Sequence, residues 1–116
     1  MSENKYTYNG WSNYETWCVN MWLTNDEGSD DYLNELADRV YKRASATKYA
    51  TRKQTAIYEL SQQIEEYISE ANPLAETATV YSDLLTASLG AVDWYEIAES
   101  VYSDFDFTEY DNEEDE

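Results

Sequence analysis

Apolar residues recur along this chain at steps of three and four, the spacing that places them on one face of an α-helix. Five such stretches follow one another, and most are bounded by helix-capping residues or by a polar turn. No pair of alternating apolar and polar stretches indicates a β-hairpin. We therefore predict an all-α fold, a compact bundle of about five helices with an acidic surface.

Two helices are predicted in the first third of the chain. The first has Ser12 as N-cap with Glu15 at the capping-box position, and it ends at the polar turn 25–28. Its expected inward face is Tyr14, Trp17, Cys18, Met21 and Trp22. The second helix begins at Ser29 or Asp30. Its expected inward stripe is Leu33, Leu36, Ala37, Val40 and Tyr41.

Three more helices are predicted after residue 50. Thr51 with Gln54 is a capping box that opens the longest helix, and Asn72-Pro73 ends it. Its inward stripe is Ile57, Leu60, Ile64, Tyr67, Ile68 and Ala71. A shorter helix over about 78–89 is followed by Gly90 as a stop. Its expected inward residues are Val80, Tyr81, Leu84 and Leu85. Asp93 with Glu96 opens the last helix, whose inward residues are Trp94, Ile97, Ala98 and Val101.

The chain of 116 residues has the length of one domain. We predict a single helical domain over 1–111, with a flexible lead at 1–10 and a disordered acidic tail at 112–116. The helical pattern ends at Asp104, residues 104–116 hold 8 acids among 13 residues, and the last five of them are expected to be solvated. Before the tail, Phe105 and Phe107 alternate with acids, as expected of a short extended segment lying on the body.

The charge of the second half has one sign. Residues 54–116 contain 17 Asp and Glu and no Lys or Arg, whereas residues 1–53 contain 8 acids and all 7 bases. The net charge of −18 does not stabilise the fold, because like charges repel one another in the compact state. The excess of acids instead indicates a surface that binds a cationic surface of another protein, such as one that holds nucleic-acid phosphates.

Composition argues against an enzyme. The chain has no histidine, and its glycines form no phosphate-binding loop. Its one cysteine, Cys18, is expected to be a buried structural thiol on an apolar face. Residues 104–108 superficially resemble a calcium loop, but Glu109 stands where a sharp turn requires glycine. We therefore expect no catalytic residue, no cofactor and no dedicated metal site.

The sequence also limits the location and the partners. No secretory signal and no apolar run of about 20 residues is present, so we expect a protein of the host cytoplasm that does not enter a membrane. A strongly acidic chain is repelled by nucleic acid as well, so direct binding to it is not expected. The expected partner is a basic, DNA-binding host protein or defence complex, and the protein itself is expected to be a monomer or a homodimer.

Carboxylates repeated along helix faces are the candidate partner-binding residues. Carboxylates at such spacing lie about 5–6 Å apart and imitate a ridge of phosphates. The candidates are Glu59, Glu65, Glu66, Glu70, Glu96, Glu99, Asp104, Asp106, Glu109 and Asp111. The plainer interpretation is that they form solvated helix faces, but ordinary surfaces mix both signs of charge.

The stretch 39–53 contains six of the seven basic residues of the chain. In one interpretation these bases bind nucleic acid. In the favoured one, its bases pair with the protein's own acids or with the acidic face of another copy.

Two parts of the chain resemble a family of small uncharacterised proteins of phages, plasmids and some microbial genomes. One is the segment 8–17, with the sequence YNGWSNYETW, continuing to the segment 22–28, with the sequence WLTNDEG, and the other is the segment 93–99, with the sequence DWYEIAE. The resemblance implies a mobile-element origin and assigns no activity to any residue. We interpret the motif's tryptophans, Trp11, Trp17 and Trp22, together with Trp94, as the core where the first and last helices meet. By charge and size alone, the chain is similar to phage DNA-mimic inhibitors of restriction or CRISPR systems.

The sequence therefore predicts a non-enzymatic inhibitor, of the anti-CRISPR or anti-restriction kind, that acts by DNA mimicry. Two alternatives remain open. One is a small acidic interaction or assembly protein that binds through an apolar patch, and the other is an antitoxin-like partner that masks a basic protein.

Overall fold

A computed structural model describes residues 8–108 and Tyr110. Its helices are α1 (Tyr14–Asn25), α2 (Glu27–Arg43), α3 (Arg52–Glu70), α4 (Val80–Gly90) and α5 (Trp94–Ser103). No β-strand occurs in this part of the chain, so the prediction of an all-α bundle of about five helices is confirmed.

The core lies between α2, α3 and α5. The whole predicted stripe of α2 is buried, and so are Ile57, Leu60 and Ile64 of α3 and Ile97 and Ala98 of α5. Helices α2 and α3 run antiparallel, because the rings of Tyr32 and Tyr67 lie 4.8 Å apart at one end and Arg52 stacks on Tyr41 at the other. The stripe of α2, the first part of the α3 stripe and the inward residues of α5 were predicted correctly, since each is wide and regular. In the rest of the predicted α3 stripe, Tyr67 and Ile68 are half-buried, and Ala71 is exposed just beyond the end of the helix.

Helix boundaries follow the capping side chains. The capping box at Thr51 is confirmed, with both reciprocal hydrogen bonds to Gln54 present. The N-cap of α1 is Asn13 rather than Ser12, and its side chain accepts the Thr16 N–H at 2.9 Å. Helix α2 begins at Glu27, before the predicted Ser29 or Asp30, because the Asp26 carboxylate caps it.

The predicted inward faces of α1 and α4 are wrong. In α1 the buried residues are Thr16 and Leu23. In α4, Val80, Tyr81 and Leu84 are exposed, Leu85 is half-buried, and the buried residue is Ser82. Gly90 is the last residue of α4 and not a stop beyond it. Helix α4 makes only sparse contacts with the other helices in the described structure, which leave Leu85 and Leu89 half-buried and Val80, Tyr81 and Leu84 exposed.

The expectation of a tryptophan core is also wrong. Trp22 is 68% exposed, and Trp17 is half-buried, with its ring tilted against those of Tyr8 and Tyr14. Trp11 and Trp94 are half-buried and pack against the edge of the core. The reason lies in α1, which turns Thr16 inward to accept a hydrogen bond and thereby turns its aromatic face outward.

The chain after α5 folds back onto the body. Phe105 and Phe107 are half-buried against the core and Tyr110 is buried. Their rings join Tyr41 of α2 and Tyr102 of α5 in one aromatic cluster. The predicted contact of Phe105 and Phe107 with the body is confirmed, whereas the tail predicted at 112–116 lies outside the described residues.

A tight turn precedes α1. Tyr8 and Trp11 exchange two backbone hydrogen bonds, with Asn9 at φ 50° and Gly10 at φ 90° between them. Positive φ at both central positions is the geometry that Asn-Gly favours. The flexible lead was predicted for 1–10; its residues 8–10 are ordered by this turn, and residues 1–7 lie outside the described residues.

Candidate functional site

A row of carboxylates runs along one flank of α3. Glu59, Glu66 and Glu70 share this flank, because steps of seven and four residues return to the same side of a helix. Glu66 and Glu70 are exposed, and Glu59 is half-buried. Glu65 is exposed but belongs to a different face, about 100° away from Glu66. We call Glu59, Glu66 and Glu70 the α3 row.

The two candidates on α5 have different roles. Glu96 is half-buried, and its carboxylate accepts the Ser12 N–H at 3.2 Å, so it ties the segment before α1 to α5. Glu99 is exposed one turn further along. Both line an open cleft of about 450 Å³ together with Trp11 and Ser103. Of the two acids, Glu99 is the one available to a partner.

The acids after α5 are less regular. Asp104 caps the end of α5 and is exposed. Asp106 is exposed and accepts the Thr108 N–H at 3.0 Å, and its hydrogen bonds with Thr108 lower the pKa of its carboxyl. For Glu109 and Asp111 the prediction falls outside the described residues. Helix geometry therefore brings the α3 row together and leaves the later acids on an irregular segment.

The bases form a separate region at the far end of the α2–α3 pair. Arg52 donates from Nε and Nη2 to the Tyr41 carbonyl oxygen, at 3.2 Å and 2.9 Å, and its guanidinium lies 4.3 Å from the Tyr41 ring centre. Lys53 lies over the Phe107 ring, 5.3 Å from its centre. Lys42 and Asp38, 3.3 Å apart, form the one ion pair between two described residues. The pairing of this stretch with the protein's own acids, or with the acidic face of another copy, stays a prediction; among the described contacts, Arg52 and Lys53 lie against aromatic rings and a carbonyl oxygen.

A buried tyrosine anchors α5 beside this basic end. The Tyr102 hydroxyl donates to the Ala37 carbonyl oxygen at 2.7 Å. Burial, and then the charges of neighbouring acids and Tyr41, raise the pKa of Tyr102, so it stays protonated at neutral pH. The Tyr110 hydroxyl in turn donates to the carboxylate of Asp38. These contacts hold the chain beyond α5 against α2.

The segments 8–17 and 93–99 meet through polar atoms. Asn13 donates to the Ala91 carbonyl oxygen at 2.8 Å, and the Thr16 hydroxyl accepts the Asp93 N–H at 2.8 Å. The Asp93 carboxylate caps α5 through the Glu96 N–H. Sequence analysis assigned this junction to tryptophans and missed the polar residues, although Asn13 is itself a preferred capping residue.

An uncovered apolar groove is the feature that the sequence analysis did not predict. It lies between α1, the end of α3 and α4 and contains Trp22, Ile68, Leu85 and Leu89. Cys18, expected to be buried, is half-buried on its wall. The sequence indicated the groove only indirectly, through the apolar stripes of α1 and α4. A stripe does not show whether an element of the same chain or another molecule buries it.

Residues 8–108 and Tyr110 contain no group of three or more Cys, Asp or Glu side chains arranged to hold a metal ion. No helix in these same residues is long and apolar enough to cross a membrane.

Fold and surface define a small all-α protein with an acidic exterior and a segregated basic end. The chain belongs to a family of unknown function, DUF7249, whose sequence model matches residues 4–113. No curated protein and no solved structure matches the chain.

Proposed function

We propose that this protein is a non-enzymatic inhibitor from a phage or another mobile element that occupies the DNA groove of a host defence complex of the CRISPR or restriction kind. The supporting observation is the segregation of charge over rigid helices. Helices α1, α4 and α5 contain no Lys or Arg, and the α3 row lies beyond the bases at the start of α3.

The spacing of the α3 row supports phosphate mimicry. An α-helix rises about 1.5 Å per residue, so the row has steps of about 10.5 Å and about 6 Å. Phosphates along one DNA strand rise about 3.4 Å each and also wind around the duplex axis, so the through-space step between neighbouring phosphates is longer than the rise and comparable with the step of about 6 Å from Glu66 to Glu70. A cationic groove that binds a DNA strand would therefore meet carboxylates at a spacing of the same order.

Binding of this protein to a DNA-binding groove should weaken as the salt concentration rises. DNA-binding grooves gain affinity by releasing the counterions of phosphates, and an array of carboxylates uses the same electrostatics. An exposed ion pair contributes about 0.2–1 kcal/mol, so single substitutions should be nearly silent. Inhibition should disappear only when several acids are neutralised together.

The test measures competition with a labelled DNA duplex for a purified RNA-guided nuclease and, separately, for a purified restriction endonuclease. The variant Glu59→Gln, Glu66→Gln, Glu70→Gln, Glu99→Gln removes four charges and leaves Glu96 to hold Ser12. Its matched control removes four exposed charges elsewhere, by Asp31→Asn, Glu35→Gln, Glu76→Gln and Asp83→Asn. We expect the first variant to inhibit about tenfold less well or worse, and the control to inhibit nearly as well as the parent.

The same measurement is repeated from about 50 mM to about 200 mM salt, where phosphate-type contacts weaken strongly. Equal losses in the two variants, or inhibition that salt does not change, would contradict the proposal.

A small interaction protein is the second candidate, because α1 and α4 leave large apolar side chains uncovered. Such a protein would hold its partner through apolar contacts, and these persist at a salt concentration that abolishes charge mimicry.

A further inference from the structure

We infer that the groove between α1, the carboxyl end of α3 and α4 binds an amphipathic helix of another protein, with an apolar stripe that is flanked by Lys or Arg at both ends. We call this surface the α1–α4 groove. It lies apart from the α3 row, and the inference does not depend on DNA mimicry.

Three adjoining cavities make the groove continuous. Their volumes are about 270, 430 and 780 Å³. The first two share Cys18 and Val19, and the third shares Trp22 with the second and Leu85 with the first. Because each cavity shares wall residues with both others, they form one depression around the outer face of α1.

Two uncovered apolar stripes border this depression. On α1, Tyr14, Cys18 and Trp22 follow at steps of four, and on α4, Leu85 and Leu89 are separated by the same step. Trp22 is 68% exposed and Tyr14 is 51% exposed. Stripes at helical spacing ordinarily pack against another element, and monomers rarely leave a contiguous apolar surface of this kind open. A third helix laid between two helical stripes is a common way of covering them.

The charged residues along the groove favour a bound helix that carries basic residues. Among residues 8–108 and Tyr110, the charged residues that line the groove are Glu15 and Asp26, both acids. They stand at the two ends of α1, eleven residues apart, or about 16.5 Å along the helix. No Lys or Arg of this described part of the chain lines any of the three cavities. A helix with bases about eleven residues apart places one base near each acid while its apolar face covers Trp22.

The same charges disfavour a second copy of this chain. A symmetric dimer through the groove would bring Glu15 and Asp26 close to their own counterparts, in two molecules of net charge −18 each.

The first experiment is a selection. The full-length protein captures members of a displayed library of helical peptides of about 18 residues, long enough to span α1. Peptides that also bind the groove variant Trp22→Ser, Leu85→Ser are removed, because both of these side chains line the groove. Trp22 is 68% exposed and Leu85 is half-buried, so their replacement should leave the helical content, measured by circular dichroism, unchanged. We expect enriched sequences with an apolar stripe and with Lys or Arg near both ends.

Affinities of one enriched peptide then separate the two features of the groove. The groove variant should bind at least about tenfold more weakly, as expected on loss of an aromatic contact at an interface centre. Its matched control, Tyr49→Ser, Tyr58→Ser, removes two exposed aromatic side chains away from the groove and should bind like the parent.

The charge variant Glu15→Gln, Asp26→Asn should bind more weakly than the control Asp31→Asn, Glu35→Gln. Asparagine at position 26 still caps α2, so the helix itself should persist.

Four results would overturn the inference: no enrichment, enriched peptides without basic ends, unchanged affinity of the groove variant, or a dimer in sedimentation equilibrium that the groove variant abolishes. The last would assign the groove to a second copy of the chain. None of these results depends on inhibition of a defence complex, so this inference and the proposed function can fail separately.

Discussion

At the scale of single residues, Thr16 decides how α1 lies on the body. It is fully buried, and its hydroxyl oxygen accepts the Asp93 N–H at the start of α5. A hydroxyl in that place satisfies a backbone donor that would otherwise be buried without a partner, which is costly. The inward position of Thr16 fixes the rotation of α1 and therefore sets Trp22 facing solvent.

We predict that Thr16→Val lowers the free energy of unfolding by about 1–3 kcal/mol, because valine keeps the volume and removes the acceptor. Urea denaturation measures the change. Thr24→Val is the matched control, since Thr24 is exposed on the same helix and its loss should cost less than about 0.5 kcal/mol. Equal stability of the two variants would show that the Thr16–Asp93 link does not hold α1 in place.

At the scale of elements, the segment after α5 packs against the body as the five helices do, although it does not form a full helix. Tyr110 is 2% exposed, and Phe105 and Phe107 lie between it and Tyr102. Lys53 and Arg52 cover the outer side of these rings as cations. Asp104 and Asp106 beside these rings are exposed, while the rings themselves complete the core.

We predict that two truncations have opposite consequences. Removal of residues 105–116 takes away a buried tyrosine and two half-buried phenylalanines, and should cost at least about 3–5 kcal/mol, the range for loss of one large aromatic side chain. Removal of residues 112–116 alone, which include no apolar residue, should leave the melting temperature nearly unchanged or raise it through reduced repulsion. Thermal unfolding followed by circular dichroism compares the two. A fall of many degrees on the shorter truncation would mean that the tail packs.

At the scale of the whole molecule, charge is divided between two ends of the α2–α3 pair. The bases of the described chain fall between Arg39 and Lys53, at the end where α2 stops and α3 begins. The opposite end carries the acids of the α2 amino terminus and of the α3 carboxyl terminus. Repulsion among these acids is part of what folding has to overcome, because the compact state brings them together.

We predict that salt stabilises this protein at pH 7. Between about 10 mM and about 150 mM NaCl the Debye length falls from about 30 Å to about 8 Å, so repulsion between exposed acids is screened. The melting temperature should rise by several degrees, since about 1 kcal/mol corresponds to about 4–8 °C in a domain of this size. Near pH 4.1, where the net charge is close to zero, the rise should vanish. A fall in melting temperature with salt at pH 7 would mean that attractive pairs outweigh repulsion.

The sequence by itself determined the number of helices, most of their boundaries and the core faces of α2, α3 and α5. Capping residues such as Thr51 act through the backbone a few positions away, and wide regular stripes such as that of α2 have only one way to be buried. The separation of charge was equally visible, because it is a property of the residue order alone.

Tertiary structure alone decided which faces of α1 and α4 meet the core. Both helices carry an apolar stripe that periodicity assigns to the interior, yet Trp22 and Leu84 are exposed. Periodicity indicates that a face is suited to burial and does not identify the element that buries it. The face of α1 that meets the core carries Thr16, whose hydroxyl oxygen accepts the N–H of Asp93, 77 residues away, and the buried Leu23. Contacts of such long range depend on the assembled chain, so no local pattern contains them.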